Sequence, residues 1–154
     1  MSTDFPDSIN WSGGLQLTAG PYFIGLYQPS PETNGFWGGV TRSELLLKWC
    51  AHCKAAYHPK RIVCTSCGAS DLGWRKATGK AKVYSFSEVH HVADSSFRDS
   101  VPYTVGLVGL EEGVYLLSRL IAAPGPITID APARVDFRVL ESGQLLPVFL
   151  VGAP

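Results

Sequence analysis

Cys50-Ala-His-Cys53 and Cys64-Thr-Ser-Cys67 decide the fold of this chain. They hold all four cysteines of a 154-residue sequence, and ten residues separate the two pairs. Each Cys-x-x-Cys turn lets two thiolates converge on one ion. Two such turns facing each other supply the four sulfur ligands that tetrahedral Zn²⁺ favours. A site closed by four cysteines has no open coordination position, so its metal holds structure rather than doing chemistry. His52 and His58 are optional extras. The spacer is long enough for one β-hairpin, which makes a zinc ribbon.

Other chemistries use the same residue type. Two disulfides would need an oxidising compartment. The opening Met1-Ser-Thr-Asp-Phe-Pro6 has neither the basic nor the apolar region of a secretory signal. The expectation is therefore a cytoplasmic chain with reduced thiols. A redox dithiol needs only one Cys-x-x-Cys pair and usually sits in a βαβ unit. Iron also accepts four thiolates, which leaves zinc against iron open and admits a rubredoxin-like electron carrier.

Apolar residues make up 45% of the chain and charged residues 17%, enough to build a core. Sixteen glycines and eleven prolines point to many turns and few long helices. No apolar run approaches the ~18 residues of a membrane span. The net charge of zero argues against bulk affinity for nucleic acid. The charge is unevenly spread: residues 48–82 carry eight Lys/Arg and one acid, whereas 83–154 carry four Arg and eight acids. The basic half coincides with the ribbon.

Three regions are expected: an N-terminal arm with a short helix (1–44), the ribbon (45–78) and a β-barrel (79–154). The arm is rich in Gly, Ser and Pro with scattered aromatics, and Tyr22–Tyr27 reads as a short strand. Ser30-Pro31-Glu32 reads as a helix start, with a Ser cap, Pro at the first turn and an acid behind it. That helix runs through Phe36-Trp37 and ends near Gly38-Gly39. Glu44–Trp49 leads into the first cysteine turn and Ile62-Val63 into the second. Gly68 supplies the positive φ such a turn often needs.

Five strands follow. Ala81–Val89 alternates, with Val83, Ser85, Ser87 and Val89 on one face. Tyr103–Leu110 and Val114–Ile121 flank a tight turn at Glu111-Glu112-Gly113. Ala133–Leu140 alternates with Val135, Phe137 and Val139 inward, and Ser142-Gly143 turns the chain into Leu145–Val151. Five short strands with glycine-marked turns fit a Greek-key OB-fold barrel, with an SH3-like barrel or small sandwich as the alternative. Gly106 and Gly109 inside a strand signal sharp curvature or a close backbone approach.

The order of motifs carries a resemblance: Phe36-Trp37, Leu45-Leu-Leu-Lys-Trp49-Cys50-x-x-Cys53, Pro59-Lys-Arg61-x-x-Cys64-x-x-Cys67-Gly68, Leu72-x-Trp74, Gly79-Lys-Ala-Lys-Val83-Tyr84-Ser85-Phe86, and Val101-Pro102-Tyr103. Over roughly residues 29–150 the chain resembles the acyl-CoA-associated family with a rubredoxin-like zinc ribbon followed by an OB-fold. The resemblance implies a small non-catalytic subunit that binds a thiolase-superfamily enzyme or hydratase in a hetero-oligomer and helps hold or cover the acyl-CoA. It places Cys50, Cys53, Cys64 and Cys67 on the metal ligands, Pro59, Lys60 and Arg61 on the basic loop, and Val83-Tyr84-Ser85 on the first barrel strand. Lys54, Thr65, Ala81 and Asp130 depart from the family pattern, which more often has Gly, Pro, Gly and Gly there.

For chemistry, Lys60, Arg61, Arg75, Lys76, Lys80 and Lys82 are the candidates to neutralise the phosphates of CoA. The same cations, with Trp74, Tyr84 and Phe86 as stacking faces, describe the alternative of a single-stranded nucleic-acid binder. The acidic barrel half opposes that alternative. His90-His91 near Asp94, Ser95, Ser96 and Asp99 is weak ground for catalysis, because triads assemble from distant segments.

Overall fold

The computed structural model describes residues 9–10, 16–17, 30–92, 95–139 and 145–152. Within the arm only a two-residue ladder is described, β1 (Ile9–Asn10) against β2 (Gln16–Leu17). The expected strand at 22–27 and the turn at 142–143 lie outside the described residues.

The helix start follows the sequence. Ser30 is extended (φ −122°, ψ 161°), and its N–H donates to Thr33 Oγ1 at 2.9 Å. A 3-10 turn at Pro31–Thr33 runs into α1 (Asn34–Val40), one residue past the expected end. The N–H groups of Arg42 and Glu44 both donate to Gly39 O at 2.9 Å and close the helix there. Phe36, Trp37 and Val40 on α1 are buried.

The ribbon is a three-stranded antiparallel sheet with β3 (Leu46–Cys50) between β4 (Ala55–Tyr57) and β5 (Gly73–Lys76). The strand at Gly73–Lys76 was not expected. Its four residues show no alternation, and it is strand because β3 offers its second edge. Ile62 and Val63 form no strand and are exposed, so they do not mirror the Leu45–Trp49 run.

The barrel closes in the order β6 (Lys80–Val89), β7 (Tyr103–Leu110), β8 (Tyr115–Ala122), β10 (Leu145–Val151), β9 (Pro132–Val139) and back to β6. All pairs are antiparallel except β8 with β10, which is parallel. A bulge between Val83 and Ser85 shifts the register of β6. That bulge breaks the expected single alternation: Val83 is fully buried, whereas Ser85 and Ser87 are exposed. Val139, expected inward, is 67% exposed because β9 runs past the core at that end. Gly106 belongs to the close-approach class, since a Cβ there would meet Ser85 O and Leu120 Cδ1.

One core joins the parts. Phe36, Trp37 and Val40 of the helix, Leu45 and Leu47 of the ribbon, and Val83, Val108, Leu116, Leu120 and Phe149 of the barrel belong to a single buried cluster. The barrel also grips its linker: Glu112 Oε1 accepts from Thr78 N–H at 2.7 Å, and Glu111 Oε2 accepts from Thr78 Oγ1 at 3.1 Å. Among the described residues no helix is long and apolar enough to cross a membrane.

Candidate metal centre and adjoining cleft

The two cysteine turns close at the open end of the ribbon sheet. Cys50 ends β3, Cys53 follows in the turn to β4, and Cys64 and Cys67 lie in the second turn. Their sulfurs all lie within 4.8 Å of one another. Cys50 Sγ is 3.7 Å from Cys67 Sγ, and Cys64 Sγ is 3.7 Å from Cys53 Sγ. A regular tetrahedron with Zn–S bonds of about 2.3 Å has edges of about 3.8 Å. The spacing therefore fits one tetrahedral ion and rules out a disulfide, whose sulfurs lie about 2.05 Å apart.

The backbone shapes each turn around the sulfurs. Cys53 N–H points to Cys50 Sγ at 3.5 Å. Gly68 N–H donates to Cys64 O at 2.9 Å, and Gly68 takes the expected positive φ, +75°. Lys54 and Asp130, two departures from the family pattern, also sit in left-handed backbone, at φ +53° and +61°.

Without an ion the four thiols contend for protons. The Tyr57 phenol beside Cys64 holds its pKa down at about 6. Hydrogen bonding from Cys67, then Cys64, pushes Cys53 up to about 12. A divalent cation removes that contention by favouring the thiolate in every member.

Beside the ribbon lies a cleft of about 420 Å³. One wall is Phe36 and Trp37 of α1, and a second is the ribbon turn His58-Pro59-Lys60. The barrel supplies the third, with Tyr103 and Val105 from β7, Leu117 and Arg119 from β8, and Pro147 from β10. Among the described residues the lining includes Lys60 and Arg119 and no carboxylate. Arg119 stacks on Tyr103 at 4.9 Å. Desolvation at the cleft mouth, with Lys60 and Arg61 nearby, holds His58 below the ordinary histidine value. The sequence does not show the cleft, because its walls come from five distant stretches of chain.

The six cations expected to serve together are spread out. Lys60 lines the cleft, and Arg61 joins it and His58 around a small neighbouring hollow. Arg75 lies over the Trp49 ring at 4.1 Å, and Lys76 Nζ pairs with Glu44 at 3.3 Å. Lys80 and Lys82 are exposed on β6. Trp74, considered as a stacking face, already carries Lys48 Nζ at 4.0 Å. Tyr84 and Phe86 are open to solvent. His90 Nε2 lies 3.6 Å from Glu88. Asp94 is outside the described residues, as are the side chains of Ser95 and Ser96.

Two family models divide the chain: residues 37–73 match the ChsH2 rubredoxin-like zinc ribbon domain, and 74–138 match the ChsH2 C-terminal OB-fold domain. The chain is 35% identical over 123 residues to a probable enoyl-CoA hydratase alpha subunit of Thermomonospora curvata, covering 79% of this chain and 38% of that protein. The chain thus spans well under half of that relative. A DUF35 domain-containing scaffold protein of Methanothermobacter thermautotrophicus is 34% identical, covering 73% of this chain and 87% of its own. A solved structure described as "Ltp2-ChsH2(DUF35) aldolase" superposes with a TM-score of 0.71 and 31% identity, covering 81% of this chain and 98% of that one. With its ribbon and barrel both matched in order, the chain belongs to the DUF35 family of ChsH2-type zinc-ribbon and OB-fold proteins.

Proposed function

We propose that the chain is a non-catalytic accessory subunit of a thiolase-superfamily enzyme, a β-keto thiolase or aldolase acting on acyl-CoA. The observation that carries this reading is the likeness, along 98% of its length, to the DUF35 chain of a structure described as an aldolase. The partner supplies nucleophile and base. This chain supplies a metal-held scaffold, a cover for the active site and contacts to the thioester. Zn²⁺ is the ion, held by Cys50, Cys53, Cys64 and Cys67, and its role is structural.

The cleft supports the reading of an acyl-CoA contact. Its apolar walls suit an acyl chain or pantetheine arm, and Lys60 with Arg61 at the mouth suits phosphates. Arg75, Lys76, Lys80 and Lys82 would act only as a wider positive field, since two of them are engaged on the ribbon. The docking face is the arm together with the barrel surface around Tyr84, Tyr115 and Leu117, all more than half exposed.

The test is a pull-down with tagged full chain from native extract, followed by assay of the isolated chain. Capture of a thiolase-superfamily enzyme, with no turnover by the chain alone, is the expected result. A catalytically competent isolated chain overturns the reading. Exposed Tyr84 and Phe86 on a strand that also carries Lys80 and Lys82 favour a second reading, binding of single-stranded nucleic acid. Tight, salt-sensitive binding of an oligonucleotide at physiological salt would select it.

A further inference from the structure

Tyr57 is the last residue of β4, between the two cysteine turns. Its phenol oxygen lies 3.1 Å from Cys64 Sγ and 3.3 Å from Ser66 Oγ. A metal-bound thiolate has no proton, so the phenol is the donor to sulfur. Its oxygen then accepts from Ser66, giving a directed chain from Ser66 through Tyr57 to Cys64. A four-thiolate site around a divalent cation carries net charge −2, and a donor aimed at one sulfur offsets part of it.

The residues that follow Tyr57 form the ribbon wall of the cleft. His58, Pro59 and Lys60 all line it. Their turn is tied by Arg61 N–H to His58 O at 2.8 Å and by Lys60 N–H to His58 Nδ1 at 3.2 Å. Pro59 is buried. At its Tyr57 end the turn has the phenol-to-sulfur bond, and three residues beyond Arg61 it reaches Cys64 itself. Both ends are thus anchored on the same metal ligand.

We infer that Tyr57 is a positioning residue that couples the metal centre to the cleft: its hydrogen bond to Cys64 sets the His58–Lys60 wall, so metal occupancy and cleft shape vary together. This inference stands whether or not the cleft takes acyl-CoA.

The test uses the full chain and Tyr57→Phe. In the cobalt-substituted protein, losing a donor to sulfur raises the sulfur lone pairs, so the thiolate-to-metal charge-transfer band moves to lower energy. Bound metal stays at about one equivalent, while transfer to a chelating dye quickens by roughly 10-fold, within the range for lost outer-shell partners. Amide exchange at Lys60 and Arg61 quickens by a similar factor, with Val108 and Leu110 unchanged. An unmoved band, or unchanged exchange at the turn, overturns the inference. Should Tyr57→Phe fail to fold, wild-type chain labelled with 3-fluorotyrosine decides it. The more acidic phenol donates more strongly and must move the band to higher energy. A band that stays put sinks the proposal.

Discussion

Tyr84 and Tyr115 meet edge to face on the outer surface of the barrel, ring centroids 5.0 Å apart and planes at 70°. Tyr115 is 52% exposed, and Leu117, two residues along β8, is 54% exposed and also lines the cleft. Aromatic pairs left open to water in this way mark binding surfaces more often than folding determinants. Replacing Leu117 by Glu, or Tyr115 by Ser, should weaken capture of the partner enzyme by at least about tenfold, as loss of a central anchor does. The melting temperature should move by no more than a few degrees, which calorimetry on the isolated chain would establish.

Removing a ligand should behave in the opposite way. Cys64→Ser leaves three sulfurs and breaks the bond from Tyr57 as well. Elemental analysis should then find the metal lost, and the far-ultraviolet spectrum should lose the ribbon's contribution, since structural zinc binding is itself folding free energy. Chelation of wild-type chain should do the same.

Metal uptake should depend on pH with a definite sign. The depressed Cys64 thiol (about 6) contributes stability to the metal-free fold fully above its ordinary value of 9, and loses it as pH falls through 6. The raised Cys53 thiol (about 12) behaves inversely, favouring the metal-free fold in its protonated form until pH rises through 12. Uptake at neutral pH must therefore expel the Cys53 proton, and affinity should drop steeply below pH 6, where Cys64 also holds one. Titration calorimetry in buffers of different ionisation enthalpy would count the protons released.

Lys54 and Asp130 adopt backbone that side chains disfavour. Lys54→Gly and Asp130→Gly should each raise stability by about 0.5–1 kcal/mol, read from thermal melts of metal-loaded protein. Gly106→Ala should cost about 1–3 kcal/mol, because Ser85 O belongs to the neighbouring strand and cannot step aside.

How much of this was legible in advance follows from the range of each interaction. The cysteine turns, the Ser30 helix start and the Glu111–Gly113 hairpin are set by residues a few positions apart, and the sequence shows them directly. The β6 bulge, the exposure of Val139 and the strand at Gly73–Lys76 are settled by what lies across the sheet, which periodicity cannot see. The cleft and the bond from Tyr57 to Cys64 are longer-range still. An aromatic residue between two cysteine turns is a visible signal, but only the fold shows that its oxygen reaches a sulfur.

The parallel seam between β8 and β10 joins only Leu120–Ala122 to Phe149–Val151, and β6 meets β9 only at Lys80–Lys82, so the five strands close in order while parts of the barrel stay open. Among the described strands from residue 30 onward, open margins lie on the ribbon at β4 and β5 and on β6 from Tyr84 onward, where no β9 residue pairs with it. A guest that docks by extending a sheet, or a stack of copies, has the ribbon margins and the open stretch of β6 to start from. Loss of the ion would loosen the ribbon's margins first, so chelated protein should be the form that clumps.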